Sequence, residues 1–442
     1  MNRLLLAATV AAAALVSTPS IARPMTATDM HMMQRLGAPS VSPDGRTAIF
    51  TLSTTDLAAN KRSNPLMMLD LTRPAAPRAV PGLTKGAHDA VFGADGAIWY
   101  VAPVENRDQL HRMVPGGRPA VLSDFGADIS GFKVSADRSR VLVWADTRDC
   151  PDLACAATTF PAKPAGSGRE YDQMFVRHWD TWVEPGVKSR IYSYPIVNGK
   201  LTGMGTRVTG GLVGDTPSKP FGGGEEIALS ADGRTVYFAL REAGRIEPTS
   251  TNLDIFMAPA DGSAHPVNLT APNGGTDTLP TLSPDGRTLA YVSMARAGYE
   301  ADRQVIMLRD LDTGTTSALT GRWDRSAGSL AWAKDGRSLL ITAEEVMENP
   351  VWRIDAASGQ VTRLTGDGQA GNVVPIAGGG AIFTQNNIMA PDDLFRVDGQ
   401  GRLVQLTNVN RALLDQLDPV TFEKFSFRGA SNDIVWGFKL KP

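Results

Sequence analysis

Two adjacent carboxylates, Glu225 and Glu226, end a glycine-rich run that reads Pro220-Phe221-Gly222-Gly223-Gly224. At a strand entrance and turned toward a cavity, such a pair can hold an ammonium group through charge-assisted hydrogen bonds. In a solvated loop it holds nothing, and the residues alone leave both readings open. Glu344-Glu345 follows an outward-running strand and reads as a surface pair. A second constellation is Arg177-His178-Trp179-Asp180-Thr181-Trp182. Either it touches a ligand, as residues on long insertions often do, or its aromatics pack the insertion down while Arg177 and Asp180 pair locally. The two cysteines, Cys150 and Cys155, stand in Cys-Pro-Asp-Leu-Ala-Cys. In an oxidising compartment this spacing suits a short-loop disulfide; two free buried thiols are the alternative, and a redox pair would read Cys-x-x-Cys. The five histidines, at 31, 88, 111, 178 and 265, have no metal-ligand spacing, and two cysteines do not build a structural zinc site. No metal and no other cofactor is expected.

The elements that must position these groups announce themselves by repetition. The chain has 442 residues, 42% hydrophobic and 20% charged, with 44 Lys+Arg against 46 Asp+Glu and a net charge of -2. That is a globular composition without the basic excess of a nucleic-acid binder. The 44 glycines and 29 prolines favour a turn-rich, all-β chain. Ser42-Pro43-Asp44-Gly45-Arg46 returns as Ser283-Pro284-Asp285-Gly286-Arg287, with variants at Ser230–Arg234 and Ala333–Arg337. Weaker copies sit at Ala94-Asp95-Gly96, Ala136-Asp137-Arg138 and Gly378-Gly379-Gly380. Positions 44, 95, 137, 232, 285, 335 and 379 are separated by 51, 42, 95, 53, 50 and 44 residues. Asp-Gly is a hairpin signal, the residues after each Arg are apolar and β-branched, and later strands end in Leu-Thr. Four antiparallel strands per ~40–50 residues make a propeller blade. The expected fold is all-β, a seven-bladed propeller over 38–408, each blade running from inner to outer strand. No strand is left over to complete a blade at the other end, so blades one and seven should meet by packing.

The doubled interval predicts an insertion in blade three, at 148–188. There Tyr171, Met174, Phe175, His178, Trp179 and Trp182 fall on one helical face, and a helix is expected; Pro161 to Gly168 reads as flexible. At the amino terminus, Arg3, an apolar run from Leu4 to Val16, Pro19 and Ser20-Ile21-Ala22 form the three parts of a secretory signal, residues 1–22. The run is too short to span a bilayer comfortably. A mature chain starting near Arg23, outside the cytoplasm (secreted or periplasmic), is expected, with a helical segment over 23–37.

Taken together, these segments are similar to the propeller half of the prolyl oligopeptidase family of serine peptidases, in its secreted dipeptidyl-peptidase and acylaminoacyl-peptidase branch. The residues that carry the likeness are the Ser-Pro-Asp-Gly-Arg copies, Asp149 to Cys155, Arg177 to Trp182 and Pro220 to Glu226; it extends from Thr26 to Pro442. The resemblance implies a propeller that caps an α/β-hydrolase domain and admits only short or unfolded peptides. It also implies acidic groups for a substrate's free N-terminus, a role that falls by position and charge to Glu225 and Glu226, and more weakly to Asp180. Arg177, His178, Trp179 and Trp182 are the candidate contact segment of the insertion. The hydrolase elbow, Gly-x-Ser-x-Gly, has no match; the nearest, Asp324-Arg325-Ser326-Ala327-Gly328, lacks the first glycine. No catalytic residue is therefore assigned. Residues 409–442 read as a linker and a hairpin around Asn432-Asp433, which in the family opens the hydrolase domain.

The expected function is a non-catalytic, gating and substrate-selecting propeller of an exported serine exopeptidase, of dipeptidyl or acylaminoacyl type, whose catalytic domain this sequence lacks. Alone it is expected to be inactive. The competing reading is a self-standing periplasmic propeller that binds protein or peptide as a scaffold. A third, an active site within the propeller tunnel, finds no metal cluster or nucleophile–base pair in the sequence. The expected partners are peptide substrates, met through the hydrolase domain; neither nucleic acid nor a membrane span is expected.

Overall fold

The computed structural model describes residues 22–155, 166–171, 174, 176–242 and 244–440. The export signal expected at 1–22 falls almost wholly outside the described residues, and so does most of the 161–168 stretch.

The Asp-Gly turns build the fold locally. Ser42 Oγ donates to Asp44 Oδ1 (2.5 Å) and accepts the Thr47 N–H (3.0 Å), while Asp44 Oδ1 also accepts the Arg46 N–H (3.0 Å). Ser230 with Asp232, and Ser283 with Asp285, repeat the pattern. The next residue turns left-handed, at φ +72° in Gly45, +68° in Gly233 and +73° in Gly286. In blade three Arg138 takes that place at φ +60° and pairs with Asp95 of the blade-two turn (2.9 Å). The Leu-Thr endings have an equally local cause. Buried Thr270, Thr320, Thr365 and Thr407 accept through Oγ1 the N–H groups of Ile255, Ile306, Val351 and Leu394, at 2.8–3.0 Å. Each hydroxyl thus closes an outer strand onto the third strand of its own blade.

Seven antiparallel sheets result. Blades two and four to seven have four strands each, in chain order; blade one has six and blade three five. Blade one comes wholly from 35–79 and blade seven from 369–405, so no strand is exchanged between them. The core is correspondingly divided: seven apolar clusters lie between neighbouring blades, the one at the seven–one seam uniting Phe50, Leu52 and Leu69 with Ile382 and Leu394.

Alternation of strand direction gives the ring two unlike faces. First-to-second and third-to-fourth turns lie on one face, the turn face. Second-to-third loops and blade-to-blade connections lie on the other, the decorated face, which carries the blade-three insertion. The chain ends are tied together beyond the blades: the Arg23 N–H donates to Gln416 O (3.1 Å) and the Asp418 N–H to Arg23 O (2.8 Å). The expected amino-terminal helix is a short one, Ala27–Met32, capped by Thr26 and Asp29. A final hairpin pairs Phe422–Arg428 with Ile434–Leu440.

The insertion in blade three is helical at the described residues 153–155. Among the described residues of 171–182 the expected helix is not found. Arg177–His178 pairs with Thr181–Trp182 as a two-stranded hairpin, with Trp179 at φ +49° in its turn. The aromatic spacing imitates a helical face, but Trp179 and Trp182 are 74% and 54% exposed, so no buried surface enforces a helical period there.

Candidate functional site

Glu225 and Glu226 occupy a 3-10 turn, Gly224–Glu226, that leads into the inner strand of blade four, Ile227–Leu229. The turn sends the two side chains to different surroundings. Glu226 is buried (6% exposed). Its Oε2 accepts the Ser218 N–H (2.6 Å), and its Oε1 accepts Ser218 Oγ (2.8 Å) and, more weakly, Thr278 Oγ1 (3.4 Å). Burial pushes its carboxyl above the usual carboxylate range; the Ser218 bonds oppose that, and the neighbouring Glu225 charge adds to it. Glu226 is therefore engaged in holding the 218–226 loop. Gly222 makes the approach possible, since a Cβ there would lie 2.3 Å from Glu226 Oε2 and 2.5 Å from Ser218 O.

Glu225 is exposed and, among the described residues, makes no hydrogen bond or ion pair within 4 Å. Its charge is felt by Lys133 on the inner strand of blade three. Lys133 Nζ donates across the seam to Ile227 O. Burial pushes this ammonium down to about 8, and Glu225 works against that shift. Of the two sequence candidates, only Glu225 thus offers a carboxylate to a ligand. The sequence reading missed Lys133, although a lone lysine within Gly131-Phe132-Lys133-Val134 was a visible signal.

The insertion hairpin meets the same loop. His178, Trp179 and Phe221 contact one another with ring centroids 4.9–5.5 Å apart, His178 and Phe221 standing perpendicular. Phe221 is 70% exposed, like its indole neighbour. Arg177 does not pair with Asp180; its guanidinium lies over the Trp182 ring, 5.3 Å from the centroid. Asp180 is exposed and accepts only a long bond from Thr181 Oγ1 (3.4 Å) among the described residues. The two segments singled out in sequence, 177–182 and 220–226, are therefore brought together on the decorated face.

Cys150 and Cys155 form a disulfide. Asp152 Oδ1 accepts the Cys155 N–H (2.8 Å), and the loop is held to the outer edge of blade three by Leu153 N–H to Gly205 O (3.1 Å) and by the Arg207–Asp149 ion pair (2.5 Å). Ser326, nearest to a nucleophile elbow in sequence, accepts the Gln304 N–H (3.1 Å) in a propeller loop. No group of three or more His, Cys, Asp or Glu suited to a metal occurs among the described residues.

A cleft of about 710 Å³ lies on the decorated face between the amino-terminal segment, residues 385–393 of blade seven and the 408–420 segment. Met25, Met30, Phe395, Leu414 and Leu417 supply its apolar wall. A smaller hollow of about 410 Å³ lies on the turn face beside Gly378, Gly379 and Arg353. Arg353 donates there to Gly399 O (2.8 Å), so its charge serves the contact between blades six and seven. The terminal hairpin is exposed on both faces, with Phe422, Phe427, Ile434, Trp436 and Leu440 each 44–54% exposed. Lys424 attaches it to blade six through Glu348 (2.8 Å) and Asp367 (3.3 Å). No helix among the described residues is long and apolar enough to cross a membrane.

No family model matches the chain. Dipeptidyl-peptidase 5 of Porphyromonas gingivalis is 28% identical over 400 residues, 89% of this chain and 57% of that protein. The chain thus spans little more than half the length of this curated relative. Pyrococcus horikoshii acylaminoacyl peptidase superposes with a TM-score of 0.68 at 14% identity, over 93% of this chain and 59% of that one. The propeller domain of the trilobed protease from Pyrococcus furiosus, described as having an open velcro topology, superposes with a TM-score of 0.55 at 13% identity, over 85% of this chain and 96% of that one. At such identities the structural likenesses speak for the fold alone.

Proposed function

The chain is a seven-bladed propeller homologous to peptidases of the prolyl oligopeptidase family, in the acylaminoacyl- and dipeptidyl-peptidase branch, and covers only part of its full-length relatives; from this we propose that it is the gating and substrate-selecting part of an exported serine exopeptidase. In this reading the hydrolase domain follows the propeller, and residues 409–442 are its linker and first hairpin. The observation that carries the proposal is that hairpin. It displays Phe422, Phe427, Ile434, Trp436 and Leu440 on the decorated face. Apolar surface on both sides of a two-stranded ribbon calls for a covering partner, which argues against a self-standing scaffold.

Peptides would reach the hydrolase past the decorated face. There Glu225 offers an unpaired carboxylate to a free amino terminus, with Glu226 as the residue that positions its loop. Asp180 is a second, more distant acidic group. The signal at 1–22 directs the protein out of the cytoplasm, where the Cys150–Cys155 bond is at home.

The deciding experiment is hydrolysis of dipeptidyl and acylaminoacyl reporter substrates by the purified chain. The expected outcome is a folded, β-rich protein without turnover. Turnover that survives purification and disappears in Ser326→Ala would overturn the proposal, because the propeller would then carry its own nucleophile.

A further inference from the structure

Trp179 and Phe221 are among the most exposed aromatic side chains of the molecule, at 74% and 70%, and they touch. Their exposure is fixed in place from behind. His178 contacts both, tilted against Trp179 and edge-to-face with Phe221, and Glu226 holds the 218–226 loop through Ser218. The hairpin also contains its own precedent for what such rings receive, since the Arg177 guanidinium lies over the face of Trp182. The Trp179 and Phe221 faces have no cation over them among the described residues.

Among the described residues, the charged side chains beside the pair that have no ion-pair or ring partner are acidic. Asp180 is next to Trp179 and unpaired, and Glu225 is four residues from Phe221 and unpaired. Four residues span at most about 14 Å. The nearby cations are already engaged: Arg177 on Trp182, and Arg169 with Glu184 (3.1 Å). Lys219 pairs with Asp146 (2.5 Å). Exposed ring faces flanked by free carboxylates attract a cation by quadrupole and charge together, whereas a purely apolar occupant would have to bury those carboxylates beside it.

We propose that Trp179, Phe221 and Asp180 form a subsite for a basic side chain, arginine or lysine, of a peptide approaching the decorated face. The inference rests on the peptide-selecting reading above and adds to it a preference that Glu225 alone would not give. Arginine is the better occupant, because its planar group stacks on a ring while its N–H groups reach a carboxylate. With two ring faces and one exposed carboxylate, the gain over a neutral side chain is about tenfold in affinity.

The test uses the full chain and fluorescence anisotropy with labelled hexapeptides that carry arginine, citrulline or leucine at the third position, each with a free or an acetylated amino terminus. Citrulline keeps the shape of arginine and removes the charge. The expected result is about tenfold tighter binding of the arginine peptide than of the citrulline peptide. Trp179→Ala and Phe221→Ala should each bring the arginine peptide close to the citrulline value at an unchanged melting temperature. Asp180→Asn should cost about threefold, and Trp179→Phe should retain part of the preference. Equal binding of arginine and citrulline peptides overturns the proposal, as does a preference that survives both alanine variants. Tightest binding of the leucine peptide also overturns it, in favour of an apolar subsite. The amino-terminal arm is read separately. Loss of discrimination between free and acetylated peptides in Glu225→Gln supports the anchoring role, and its failure leaves the arginine-to-citrulline ratio to be judged by itself.

Discussion

At the scale of single residues, the inner end of blade five shows how burial and neighbouring charge set a side chain's state. Asp277 is 1% exposed and its carboxyl is pushed up to about 6, first by burial. Hydrogen bonds from Ser293, Asn273 and Thr270 oppose this, and the charge of Asp254 adds to it. Thr270 Oγ1 donates to Asp254 Oδ1 (3.0 Å), which places a hydrogen-bonded second carboxylate nearby. The folded state therefore binds this proton more tightly than the unfolded chain, and stability falls as pH rises from about 4 through about 6. Asp277→Asn should abolish that decline. In denaturant titrations its stability relative to the parent should rise between pH 4 and pH 7, by at most about 3 kcal/mol; a parallel pair of pH profiles would show that Asp277 ionises normally. Gly222 makes the complementary case for shape. A methyl group there meets Ser218 backbone and Glu226 Oε2 below 2.6 Å. Gly222→Ala should displace the 218–226 loop, and with it Glu225 and Phe221, and should reduce discrimination between free and acetylated peptides while changing the melting temperature by only a few degrees. A variant that discriminates like the parent would separate the loop from recognition.

At the scale of elements, the blade is the unit that local chemistry writes most clearly. Asp-Gly turns, β-branched runs and Leu-Thr endings are all short-range signals, and each maps onto a hydrogen bond within one blade. This is why seven blades could be counted from sequence. The threonine endings are the least obvious of these devices and the easiest to test. Thr365→Val keeps the volume and removes the acceptor of the buried Val351 N–H (2.9 Å). The expected cost is about 1–3 kcal/mol, with Thr365→Ser restoring most of it; equal stability of Thr365→Val and the parent would mean that the N–H finds another partner. The sequence was less legible where no burial enforces a period. Tyr171, His178, Trp179 and Trp182 are spaced like a helical face, yet the described part of that segment forms a hairpin with its indoles in solvent. The pairing of Arg177 with Asp180 failed for the same reason: the turn at Trp179 separates their side chains, and the guanidinium takes the Trp182 ring. Glu225 and Glu226 look equivalent as neighbours in sequence. Only the 3-10 turn decides that one is buried on Ser218 and the other free.

At the scale of the whole molecule, the seam between blades seven and one differs from the other six. Those six join blades that follow one another in the chain. The last joins partners 376 residues apart, Gln34 and Asn410. For an unfolded chain, closing a loop of that length instead of one of about twenty residues costs roughly 2–3 kcal/mol more. No shared strand offsets this. The closing contacts are an apolar cluster, the Arg396 donation to Leu71 O (3.3 Å), the Arg23 ladder with Gln416 and Asp418, and Asn410. Asn410 is 4% exposed; it accepts the Gln34 N–H (2.8 Å) and donates to Gln34 O (3.0 Å), so one side chain satisfies both backbone groups. Asn410→Ala removes the partner of both half-buried Gln34 groups, at a cost of about 1–2 kcal/mol. Because the seam can part without disturbing the other sheets, the loss should be local. Amide exchange should accelerate first in blades one and seven, while blades three and four, locked by their own apolar clusters, keep the parent's protection. A uniform acceleration through all seven blades would instead mean that the ring unfolds as one unit, with its ends no weaker than the remaining seams.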